Sequence, residues 1–161
     1  MSEAIDQSLV EEVWRSLREY DPVQAQGEAK AFIRNQPHVA EFLRDFTGEF
    51  DKEVQKAALG LAFLVFKVVE AHRGAPPSPI SRARIQEAYD ATVAWVERWD
   101  GAEEKLFLRA CETSGEFPIP NLVQYVLQTF YADDSGAPEY DQEVKGNFFL
   151  ILKTIVDALS P

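Results

Sequence analysis

DKEVQKAALGLAFLVFKVVEAHRG, residues 51–74, decides the fold. From Asp51 the apolar positions Val54, Ala57, Ala58, Leu61, Leu64, Val65, Val68 and Val69 recur at helical spacing until Gly74 ends the pattern. Their arc is wider than a one-faced amphipathic helix needs, so this helix is expected at the centre, buried on more than one side. Its most apolar run, Ala57 to Val69, is interrupted by Lys67 and falls short of the roughly 20 residues that cross a bilayer. A buried helix is therefore expected, not a membrane span.

Upstream, three further amphipathic segments precede it. Leu9, Val10, Val13, Trp14 and Leu17 form one apolar stripe. Asp21-Pro22 reads as a cap followed by proline at the first helical position, and opens a segment carrying Ala25, Ala29, Phe32 and Ile33. Asn35-Gln36-Pro37 repeats the start signal before Val39, Phe42, Leu43 and Phe46, and Thr47-Gly48 closes that short helix.

Downstream, residues 74–80 hold three prolines and read as a stiff connector that divides the chain almost in half. Ser81 caps a fifth helix through Ile85, Ala88, Tyr89, Thr92, Val96 and Trp99, and Asp100-Gly101 breaks it. Glu103 to Cys111 supplies a sixth and Leu122 to Phe130 a seventh. After the polar loop Asp133 to Glu139, Asp141 to Leu159 forms the last helix, with Val144, Phe148, Ile151, Leu152, Ile155, Val156 and Leu159. No segment alternates like a strand, so the chain reads as all-α.

The two halves echo each other in order. Glu28-Ala-Lys30-Ala-Phe32-Ile33-Arg34 matches Glu103-Glu-Lys105-Leu-Phe107-Leu108-Arg109, and Pro37-His-Val39 matches Pro120-Asn-Leu122. Asp51-Lys-Glu53-Val54 matches Asp141-Gln-Glu143-Val144, and Gly60-Leu-Ala-Phe63-Leu64-Val65-Phe66-Lys67 matches Gly146-Asn-Phe-Phe149-Leu150-Ile151-Leu152-Lys153. Apolar positions alone recur in any two amphipathic helices, and the gaps between these anchors differ in length. Lys, Arg, Pro, Asp and Gly also recur, however, and these are not dictated by amphipathicity. The expectation is one domain, residues 1–161, built from two tandem four-helix units, about 8–73 and 81–159, packed through their long fourth helices as a bundle or short α-solenoid.

Composition narrows function by exclusion. With 16 basic against 27 acidic residues and a net charge of -11, the composition argues against nucleic acid as a partner, which requires a clustered positive surface. A single cysteine, Cys111, allows no internal disulfide and no CxxC pair, and with two histidines it cannot complete a common zinc set. The acidic, polar Met1 to Gln7 has neither the basic start nor the apolar core of a secretory leader, so a cytoplasmic location is expected. No Glu-x-x-His, P-loop, GxGxxG, GxSxG or HExxH pattern occurs, and the acidic loop near Asp133 departs from an EF-hand in glycine position and closing glutamate. No catalytic residue, metal ligand or cofactor is therefore assigned. Cys111 beside Ala110 reads as a small buried side chain, which a low thiol pKa would revise toward a nucleophile.

Two lysines stand in apolar runs, Lys67 in LVFKVV and Lys153 in LILKTIV. Each is expected to reach an edge and pair within its own helix, Lys67 with Glu70 and Lys153 with Asp157. The alternative is a symmetric anion or partner groove in which both lysines join Arg34 and Arg109. Stacked helical units present binding surfaces, and an acidic exterior suits a basic protein patch. The functional expectation is thus a non-enzymatic interaction or adaptor module that binds a protein or itself. The alternative is a small-molecule sensor with an apolar pocket between the units, lined by Phe63, Trp95 and Phe149.

Overall fold

The computed structural model describes residues 5–98, 122–132 and 142–159. Among these residues the regular structure is entirely helical: α1 (Gln7–Arg18), α2 (Pro22–Asn35), α3 (Pro37–Thr47), α4 (Lys52–Arg73), α5 (Arg82–Glu97), α6 (Leu122–Ala132) and α7 (Gln142–Leu159). The helix expected over Glu103 to Cys111 lies outside the described residues, as do Trp99, Arg109, Cys111 and the Asp133–Glu139 loop.

Local chemistry sets the boundaries. Asp21, Asp51 and Ser81 cap α2, α4 and α5, their side-chain oxygens accepting the amides of Gln24, Val54 and Arg84 at 2.7, 3.0 and 3.1 Å. Pro22 and Pro37 occupy first helical positions, where a missing N–H costs nothing. Gly74 ends α4 at φ 81°, in the left-handed region, and its amide bonds back to the Glu70 carbonyl at 2.8 Å.

The second half of α4 and most of α7 are buried, and the two helices pack against each other. Leu61, Leu64, Val65, Val68 and Val69 of α4 and Phe148, Ile151, Leu152 and Val156 of α7 are almost wholly withdrawn from water. At roughly 1.5–3 kcal/mol for each large apolar side chain removed from water, this pair is the main source of cohesion. α1 and α3 pack on α4, while α5 and α6 pack on α7. The flanks close where α1 meets α6 and where α3 meets α5. The structure is therefore closed across the two halves, with α4 and α7 at its centre. No described helix is long and apolar enough to cross a membrane.

Gln36 departs from the expected start signal. Its side chain caps nothing, although it stands at the N-terminus of α3. At 2% exposure it turns instead to the proline connector, donating from Nε2 to the carbonyls of Pro77 (3.3 Å) and Ser78 (3.0 Å) and accepting the Ile80 amide (3.0 Å) on Oε1. Prolines leave the connector short of amide donors, and one glutamine supplies partners for two part-buried carbonyls and for the buried Ile80 amide. Removing that side chain takes the partner from the buried Ile80 amide and from two part-buried carbonyls at once. Gln36→Ala is expected to lower stability by about 2–3 kcal/mol in urea denaturation, whereas the exposed Gln26→Ala stays within about 0.5 kcal/mol.

Candidate functional site

Of the residues expected to act together, those described lie in distinct environments. Lys67 and Lys153 both make the intrahelical pairs that their spacing allows, Lys67 with Glu70 at 3.6 Å and Lys153 with Asp157 at 2.8 Å. Lys67 has a second carboxylate, Glu28 of α2, at 3.5 Å, and its ammonium stands 5.5 Å from the Phe63 ring centroid. Both ammonium groups are thus already engaged by carboxylates. Arg34 is exposed on the last turn of α2, outside the small cleft that Lys67 lines.

Lys153 does not reach an edge. Its side chain is only 4% exposed because α5 lies across α7 and places Trp95 over it, the ammonium 5.4 Å from that ring centroid. Lys67, beside Glu28 of α2, keeps 26% of its side chain exposed. Asp157 sits in the same buried layer. Burial holds its carboxyl above the usual carboxylate range, and Lys153, the Thr92 hydroxyl and the Arg84 charge pull the other way without cancelling it. Arg84 also donates to the backbone carbonyl of Asp157 at 3.1 Å, so α5 is tied to the end of α7 at two levels.

The three aromatic residues expected to line a pocket are likewise divided. Trp95 and Phe149 meet with ring centroids 5.9 Å apart, while Phe63 packs edge-on against Phe32 at 5.6 Å. Among the described residues no group of three His, Cys, Asp or Glu side chains converges as a metal site would.

A different constellation emerges at the α3–α5 flank. Phe42, Phe46 and Tyr89 form a triangle with centroid separations of 5.7, 5.9 and 5.9 Å. All three rings are only partly buried and line a groove of about 320 Å³. Glu41, Asp45, His38, Gln86 and Arg82 stand around them. Arg82 donates to Glu41 at 2.9 Å across the groove, and His38 Nδ1 is buried without a hydrogen-bond partner among the described residues. The sequence offered a partial signal, since Phe42 and Phe46 are four apart on one helix. Tyr89 joins them only through the packing of α5 beside α3.

No family model, curated protein or solved structure matches this chain.

The buried pair generates a pH prediction. Folded Asp157 binds its proton more tightly than the unfolded chain, whose carboxyl titrates near about 3.9. Between that pH and the raised folded value the native state holds the extra proton, so the stability this group contributes falls as pH rises through the window. Asp157→Asn is expected to abolish that component in thermal melts from pH 3.5 upward. At pH 7 Asp157→Leu, which removes the acceptor oxygens as well as the charge, leaves Lys153 buried without a partner on α7 and is expected to cost about 3–5 kcal/mol, most of it regained in a Lys153→Met/Asp157→Leu double variant.

Proposed function

We propose that the chain is a non-enzymatic adaptor, a protein-binding module whose partner docks in the α3–α5 groove. The observation that carries this reading is the half-exposed triangle Phe42, Phe46 and Tyr89, ringed by polar and charged side chains. Aromatic anchors inside a polar rim are the composition of protein interfaces, where a few such residues supply most of the binding energy. The net charge of -11 favours a basic partner and speeds encounter with one. The lone cysteine suits a reducing, cytoplasmic setting.

The adaptor is best understood as a duplicated four-helix unit, closed about a pseudo-twofold axis. The helix contacts support this reading. Exchanging α1 with α5, α3 with α6 and α4 with α7 carries the α1–α4 contact onto α5–α7 and α3–α4 onto α6–α7. The same exchange carries α1–α6 onto α5–α3 and leaves α4–α7 in place. Among the described residues α4–α6 lacks an equally extensive counterpart, and the counterpart of α2–α3 would involve residues outside those described. Burial agrees along the paired helices, with Val65, Phe66 and Val69 buried at the positions of Ile151, Leu152 and Ile155. Under this exchange the α3–α5 groove corresponds to the α1–α6 flank, where Trp14 stands edge-on to Phe130 at 6.1 Å.

Native mass spectrometry of the tagged protein, drawn gently from its own cell lysate, tests the adaptor reading. The expected spectrum carries an added mass of protein size that disappears in Gln86→Trp, a substitution at an exposed position that fills the groove mouth. A protein mass retained by Gln86→Trp, or an added mass of only small-molecule size, would contradict it.

A further inference from the structure

Resting on the adaptor reading, we propose that the α3–α5 groove is an arginine-reading site: a guanidinium from a basic segment of the partner lies against the Phe42, Phe46 and Tyr89 rings and is held by the carboxylates of Glu41 and Asp45. The rings meet at interplanar angles of 42°, 65° and 74°, so no pair of ring faces is consumed by a flat stack. Aromatic faces attract cations, and the planar guanidinium gains both stacking and cation–π attraction there.

Glu41 already demonstrates the required chemistry. Its Oε2 accepts Arg82 Nη2 at 2.9 Å, so a guanidinium fits at this edge of the groove. The Arg82 side chain is 70% exposed, and an ion pair so accessible to water holds its partners weakly. An incoming arginine can therefore displace it or share its carboxylate. Asp45 stands one helical turn beyond Glu41 on α3, 70% exposed, with the Arg44 Nε of the adjacent residue 3.8 Å away. That contact is too long and too wet to satisfy the carboxylate.

Two carboxylates one turn apart beside three rings match a planar, multiply donating cation better than the compact ammonium of lysine. The charge balance acts in the same direction. Sixteen basic against 27 acidic residues attract a basic segment from a distance, and the groove then selects arginine within it at contact.

The test is fluorescence anisotropy with three labelled peptides of one length, in which arginine, lysine or citrulline alternates with serine, titrated with the full chain at low and physiological salt. The arginine peptide is expected to bind about tenfold more tightly than the citrulline peptide and measurably more tightly than the lysine peptide. A Glu41→Gln/Asp45→Asn double variant is expected to lose about tenfold in affinity for it. Glu11→Gln/Glu12→Gln removes the same charge from the exposed face of α1 and is expected to leave most of the affinity. Phe46→Leu is expected to erase the preference for arginine over lysine, with thermal melts verifying that each variant is folded.

Equal losses in the two charge-matched double variants would reduce the binding to diffuse attraction and overturn the proposal. An unaltered arginine preference in Phe46→Leu would do the same. The two readings fail separately. A groove-dependent protein mass that Glu41→Gln/Asp45→Asn retains refutes arginine reading and leaves the adaptor standing, whereas the absence of any protein mass that Gln86→Trp removes refutes the adaptor itself.

Discussion

α4 and α7 are each too apolar to face water, and the rest of the structure depends on their burying that surface against each other. Leu64, Val65 and Val68 on one side and Phe148, Leu152 and Val156 on the other are closed to solvent. The remaining helices complete the cover: α1 and α3 over α4, α5 and α6 over α7. Because α1 also meets α6 and α3 also meets α5, the cover of each half is fastened to that of the other. The α3–α5 groove is a product of this closure, since its rings come from helices on opposite sides of the proline connector.

Polar groups inside such a core restrict how the helices can settle. Lys153 and Asp157 are costly to bury, and on desolvation alone an apolar pair of similar volume would hold the helices at least as well. Their contacts with Thr92, Trp95 and Arg84 nevertheless tie α5 to α7 at defined positions. Gln36 does the same for the connector, binding residues 77, 78 and 80 from the start of α3. These two fixtures determine where α5 begins and how it lies. They thereby determine where Tyr89 stands relative to Phe42 and Phe46.

Much of the architecture was legible because it is encoded locally. The caps at Asp21 and Ser81, the stop at Gly74, the central place of α4 and the pairs Lys67–Glu70 and Lys153–Asp157 all follow from spacing within a few residues. What escaped is long-range. Gln36 looks like part of a helix start, and only the return of the connector more than forty residues later reveals its role. Lys153 has the same local pattern as Lys67, and only Trp95 on α5 distinguishes a buried lysine from a half-exposed one. Phe42, Phe46 and Tyr89 each read as ordinary core positions. Their assembly into a groove requires the pairing of α3 with α5, which no local pattern encodes.

The functional account thus depends on one physical claim, that the two halves fold only as a pair. The most direct measurement is complementation of separated fragments, 1–75 and 76–161, followed by circular dichroism and tryptophan fluorescence. Each fragment alone is expected to lack a cooperative melt, and mixing is expected to restore helical signal with a single transition. A cooperative melt of either fragment by itself would contradict the account, because α4 or α7 would then have found sufficient cover within its own half.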